Sequence, residues 1–292
     1  MKKIAFGLFA VAGLATSAMA QNSGATLTDG TAFYQVTSAG AAGTIPLTEP
    51  GGTALGAQAN FSMGPLVTTQ DQMYLNWMWY RINGTSTREL GIRQAAGTAV
   101  KYTSGTNSVI YQITPAAGLL FTLQFTLTDL DGAANEAANI LMSTTFTNNT
   151  AAEVNMTLMN MADLFLFGAD AADRLRSASI VGGNRNLLVS DSGALAAANA
   201  TMMFTGYGAA GYGIGTFSGI SGQVTDTGLD NFADINAGAP VEPAAGADIS
   251  AVMQWNLGSI APGASATVYS AIAVHLNGTE PQIGQAVQAT VK

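Results

Sequence analysis

Through most of this chain, apolar residues fall at every second position. In "LLFTLQFTLTDLDG" (119–132), Leu119, Phe121, Leu123, Phe125 and Leu127 share one face. Thr122, Gln124, Thr126 and Thr128 share the other, and "DLDG" supplies a turn. That is the pattern of a strand with one buried and one wet face. "NILMSTTFTNN" (139–149) alternates through Ile140, Met142, Thr144 and Phe146 and stops at two turn-forming asparagines. "AEVNMTLMNMADLFLF" (152–167) begins with Val154, Met156 and Leu158, after which the apolar positions change parity at Met159 and Met161. The slip predicts a β-bulge or bend near Met159 and Asn160. "SAVMQWNLGSIAPGASATVYSAIAVHL" (250–276) reads as two strands joined by a Pro262-Gly263 turn. Further strands are expected at 31–37, 73–82, 99–103, 108–113, 186–190 and 200–205, about eleven in all.

Helical signals are short. Residues 131–142, 168–178 and 192–200 each admit a helical turn, but none carries an apolar stripe of useful length. Parallel β/α folds need crossover helices, and none is visible. The pattern therefore predicts an all-β fold, an antiparallel β-sandwich or super-sandwich with few short helices. "GYGIGTFSG" (211–219) is glycine-rich, but no βαβ unit surrounds it and no lysine follows, so it reads as a flexible or surface loop and not a nucleotide loop.

The N-terminus changes where the protein is expected to work. Lys2 and Lys3 precede an apolar run from Ile4 to Ala15, and "AMA" stands at 18–20. This is the three-part pattern of a cleaved secretory signal peptide over residues 1–20, too short to span a membrane. Residues 21–292 then form a single secreted domain in the periplasm or outside the cell, and the signal has a Gram-negative bacterial look. Cleavage leaves eight basic against eighteen acidic residues, a formal charge of −10. Such a chain has no electrostatic footprint for nucleic acid, and no later segment is apolar for long enough to cross a membrane. The chain has no cysteine, which excludes thiol nucleophiles, zinc–thiolate sites and disulfides. Charged residues make up 10% of it, against about 25% in ordinary domains, a composition that suits a surface or structural protein.

Candidate chemistry is sparse. "MYLNWMWYRI" (73–82) gathers Tyr74, Trp77, Trp79 and Tyr80 on one strand. Both faces of that strand are largely apolar, which predicts burial on two sides. The competing reading places Trp77, Trp79, Tyr80 and Arg81 on an exposed platform that stacks sugar rings. Two acidic runs offer hard oxygen ligands for Ca2+: Asp129, Asp131 and Glu136 in one, Asp226, Asp230 and Asp234 in the other. Neither matches the EF-hand spacing, so no cofactor is required and calcium is the one that these residues would admit. His275, the only histidine, lies on a strand with no serine partner marked out, and no carboxylate pair stands apart, so no catalytic residue is assigned. Six Asn-x-Ser/Thr acceptor sites occur, at Asn60, Asn83, Asn148, Asn155, Asn199 and Asn277.

The segment "WNLGSIAPGASATVYSAIAV" (255–274) resembles the closing hairpin of many secreted bacterial β-sandwich modules, where an "LGxLAPGxSAT" turn joins two strands. The likeness covers less than a tenth of the chain. It implies a sandwich with an adhesive, structural or carbohydrate-binding role and carries no catalytic residues with it. The sequence therefore leads to the expectation of a non-catalytic secreted or cell-surface β-sandwich protein with a structural, adhesive or matrix role, its partner a glycan or a cell-surface protein. The alternative is a carbohydrate-binding or carbohydrate-active protein built around Trp77 and Trp79.

Overall fold

The computed structural model describes residues 25–29, 32–36, 48–49, 53–54, 59–62, 73–92, 100–103, 105–130, 137–164, 166, 173–191, 201–241 and 244–275. Their elements, in chain order, are β1 (Ala25–Asp29), β2 (Ala32–Val36), β3 (Thr48–Glu49), β4 (Thr53–Ala54), β5 (Ala59–Ser62), β6 (Met73–Ile82), β7 (Leu90–Gly91), β8 (Val100–Thr103), β9 (Ser108–Ala116) and β10 (Leu119–Asp129). There follow β11 (Ala137–Asn148), β12 (Val154–Leu164), β13 (Asp173–Val181), β14 (Asn184–Asp191), β15 (Thr201–Tyr207), β16 (Gly211–Thr216), α1 (Phe217–Thr225), β17 (Ile235–Ala237), β18 (Ile249–Ile260) and β19 (Ser265–His275). Every strand expected from the alternation is present, and the sandwich-like, almost wholly β architecture is as the pattern predicts.

Two large sheets make the body of the fold. One has eight strands in the order β13-β14-β15-β19-β11-β10-β9-β8, the other six in the order β17-β16-β18-β12-β6-β7. Pairings are antiparallel except for β16 with β17. The main core lies between the sheets, because the inward residues of each strand recur with period two and meet those of the facing sheet. Phe121, Phe125, Phe146 and Phe204 enter it from the larger sheet, and Met156, Leu158, Met253 and Trp255 from the smaller. Phe125 is its hub: the rings of Tyr34, Trp77 and Tyr111 lie 5.9, 6.3 and 6.3 Å from it.

The parity change in β12 has a different cause from the one its sequence suggests. Nearly all of the strand is buried. Leu158 and Ala162 face the main core, whereas Met159 and Met161 join a second cluster with Trp79 and Val252. Ile220 and Val224 of α1 and Phe232 of the following segment close that cluster from outside. Both faces are apolar because both are covered. The bulge lies instead opposite Met156 and Thr157, which pair with Gly258 and Asn256 and leave Leu257 over; Gly258 takes the left-handed φ of 68° that such a kink uses.

The glycine-rich stretch is also not a loop. Residues 211–216 are strand β16 and residues 217–225 are α1, which Thr216 caps by accepting a hydrogen bond from the Gly219 amide at 3.3 Å. Gly211, Gly213 and Gly215 share one face of β16. A Cβ on Gly211 would overlap the Phe232 carbonyl, one on Gly213 would sit 2.5 Å from the Phe232 ring, and one on Gly215 would sit 2.7 Å from the Ala237 carbonyl. The three glycines are thus a bare track against which the Phe232–Ala237 backbone runs. Of the expected helical turns, 137–142 and 173–178 are strand, and 192–200 lies outside the described residues, as does the signal-peptide segment.

The closing hairpin is tied to its neighbour by one asparagine. Asn148 is fully buried. Its amide nitrogen donates to the carbonyls of Ala152 and Ile260 at 2.8 Å each, and its amide oxygen accepts from the amide and hydroxyl of Thr150. The backbone oxygen of Asn148 accepts from Gly263, whose φ of 77° fits the turn.

The glycine track gives a differential test. Gly211→Ala or Gly213→Ala should lower the urea midpoint, at a cost of about 1–3 kcal/mol for overpacking. Gly222→Ala, in α1 with open space around it, should be neutral or stabilise by about 0.5–1 kcal/mol. Equal responses at all three positions would refute the track.

Candidate functional site

β6 carries the residues singled out as a sugar platform, and the structure buries them. Trp77 stacks near Phe125, and its indole N–H donates to the Ile92 carbonyl at 2.9 Å. Tyr80 packs 5.1 Å from Phe121 in the main core. Trp79 is 1% exposed under α1 and Phe232. The exposed platform is therefore corrected: the facing sheet covers one side of β6, and α1 with its following segment covers the other.

Arg81 lies at the rim of that second cover. Its guanidinium donates to Glu89 Oε1 at 2.8 Å, to the Asp230 backbone carbonyl, and through Nε to Asn83 Oδ1 at 3.2 Å. Glu89 is buried, and the same Oε1 accepts the Asp230 amide at 3.0 Å. An arginine and a glutamate thus staple the segment after α1 to the edge of the six-stranded sheet. Asp230 is half-buried, with one oxygen unpartnered among the described residues. Burial first, then the nearby Asp226 and Glu89 carboxylates, push its pKa up to about 6, against the opposing pull of Arg81. Arg81, Asp226 and Asp230 are therefore brought together. Glu89 was not singled out from the sequence. Its signal is a lone acid in "TRELG", next to a strand apolar on both faces in a chain poor in charge.

The other predicted ligands go elsewhere. Asp234 has a positive φ of 57° and grips Arg185 with both oxygens at 2.7 and 3.1 Å. Asp129, at the end of β10, has its backbone amide bonded to Asp29 Oδ2 at 3.1 Å. Asp131 and Glu136 lie outside the described residues. Among the described residues, no three His, Cys, Asp or Glu side chains converge as metal ligands.

The outer face of the eight-stranded sheet has a different chemistry. Register sets Tyr207 beside Tyr269, Tyr269 beside Ser143, and Ser143 beside Gln124. Leu141 and Ala271 pack with the two tyrosines in a small apolar patch of their own. Around it the hydroxyls pair across strands: Thr145 with Thr267 and Thr147 with Ser265 at 2.8 Å, and Thr205 with Asn186 at 2.8 Å. The Tyr207 hydroxyl is buried with no hydrogen-bond partner among the described residues, and burial raises its pKa to about 12, so the phenol stays neutral. The threonine face was legible as wet; the tyrosine pair on it was not singled out.

Neither a protein-family model nor a curated protein matches this chain. Solved structures do match its fold. A bacterial glucoamylase in complex with acarbose aligns over 93% of this chain and 34% of its own at 9% identity, with a TM-score of 0.50. A kojibiose phosphorylase from the human microbiome aligns over 91% and 32% at 10% identity and 0.39. An aldose 1-epimerase from Escherichia coli K12 aligns over 87% and 99% at 10% identity and 0.44. The chain spans about a third of the first two. At these identities the likeness is one of fold. The expectation of a non-catalytic structural, adhesive or matrix protein is corrected on the glucoamylase likeness, in which a chain of this fold belongs to a carbohydrate enzyme. Among the described residues no helix is long and apolar enough to cross a membrane.

Two outcomes follow for the Arg81 corner. Arg81→Met leaves Glu89 buried without its cation and should cost about 3–5 kcal/mol in denaturant unfolding. Asp230 binds a proton more tightly folded than unfolded, so its contribution to stability is present below pH 4 and is lost as pH rises to about 6. Its carboxyl resonance should titrate near pH 6, and Asp230→Asn should flatten the pH dependence of the melting temperature across that window; a midpoint near 4 would overturn the assignment.

Proposed function

We propose that this protein binds or processes carbohydrate, with the saccharide lying on the outer face of the eight-stranded sheet. The observation that carries the proposal is the tyrosine pair, Tyr207 and Tyr269, set in a field of hydroxyl and amide side chains. A pyranose has apolar C–H faces that pack on aromatic rings and a rim of hydroxyls that both donate and accept. Serine, threonine and glutamine side chains such as Thr145, Thr267 and Gln124 meet that rim. The shared architecture with a bacterial glucoamylase supports the same reading. The N-terminal signal pattern supports a site of action in the periplasm or outside the cell.

Isothermal titration against a panel of soluble oligosaccharides tests this, with a reducing-sugar assay on the same mixtures to read hydrolysis. At least one saccharide should bind, and Tyr269→Ala should weaken it about tenfold, roughly 1.4 kcal/mol. Trp79→Phe, beneath α1, should leave affinity unchanged. Undiminished binding by Tyr269→Ala would move the site off this face.

A further inference from the structure

We infer that the saccharide taken by this face is a neutral one that spans several strands, an inference that rests on the carbohydrate reading above. From β14 across β15, β19, β11 and β10 to β9, the outward positions carry no Asp, Glu, Lys or Arg. The ionic residues on these strands point the other way or stand at their ends. Arg185 pairs with Gly206, whose neighbour Ser270 is buried, and turns to Asp234. Asp129 closes β10, and Asp191 closes β14.

An anionic saccharide needs a cation to repay the loss of its hydration, and none faces outward on these six strands, the nearest being Arg174 on the edge strand β13, opposite Ser190. The chain's own excess of acidic residues repels it further. In hydroxyl pairs such as Thr145–Thr267 and Thr147–Ser265 one hydroxyl keeps its hydrogen to donate and both oxygens keep a lone pair to accept, which matches uncharged hydroxyls. The field is also broad. The accessible part runs over β19, β11, β10 and β9, and four strands at about 4.8 Å spacing span roughly 14 Å, more than one sugar ring. The accessible polar row lies on one side of the tyrosine patch, at Thr145, Thr267, Thr147 and Ser265, while Thr205 on the other side is buried. The geometry thus favours an oligosaccharide over a free monosaccharide.

The test uses the full mature chain and three sets of probes: maltohexaose, cellohexaose and xylohexaose; hexagalacturonate and a heparin hexasaccharide; and the monosaccharides glucose and xylose. A neutral hexasaccharide should bind at least tenfold more tightly than its monosaccharide, with an affinity that changes less than twofold between 50 and 500 mM NaCl. The acidic probes should bind at least tenfold more weakly. Tyr269→Ala and the exposed, fold-neutral Thr267→Val should each weaken the neutral hexasaccharide several-fold, so that one variant reads the face even where the other is unstable. Tight, salt-sensitive binding of an acidic probe, or equal affinity for hexamer and monomer, overturns the inference and leaves the carbohydrate reading standing. Binding of no probe in any set overturns that reading itself, and the inference with it.

Discussion

A strand that is apolar on both sides must be covered twice, and β12 is such a strand. The eight-stranded sheet covers Leu158 and Ala162, and α1 with Phe232 covers Met159 and Met161. The rest of the six-stranded sheet is arranged around that need. The chain must leave the sheet after β16, turn through a helix and return across it, and the return passes so close that β16 has no room for side chains at Gly211, Gly213 and Gly215. The Arg81–Glu89 pair then fixes the returning segment at the far edge, through the backbone of Asp230. An ion pair there is a poor source of net stability, but it holds a fixed geometry at low exposure.

The two sheets divide the work of the molecule. The six-stranded sheet is sealed on both faces. The eight-stranded sheet has one face in the core and the other lined with hydroxyls, amides and a small apolar patch. Any recognition by the sheets falls to the second.

Much of this was legible in the sequence, for a physical reason. Strands with one wet face, such as 119–128, announce themselves by alternation, and the structure reproduces that alternation residue by residue. Where both faces are covered the signal vanishes: Met159 and Met161 look like a slipped register, and only the position of α1 explains them. "GYGIGT" reads as a loop because the property that makes it a strand, clearance for a crossing backbone, lies in residues some twenty positions later. The aromatics of β6 fall on the core reading that their two apolar faces implied. The site residues fared unevenly. Arg81 and Asp230 meet at Glu89, with Asp226 near enough to act on the Asp230 charge, and Tyr207 meets Tyr269 only through a strand pairing that brings residues 62 positions apart side by side.

Asn148 adds a constraint on how the protein is made. It stands in an Asn-Asn-Thr acceptor, yet its side-chain nitrogen is buried and committed to two carbonyls on different turns. A eukaryotic secretory host modifies such acceptors on the nascent chain, before those carbonyls arrive. A glycan placed there would block closure of the 148–154 turn on the β18–β19 hairpin. The inward placement of this asparagine thus sets a rule for production: a producer line that attaches sugar to such acceptors should have this one removed at Thr150 and not at Asn148.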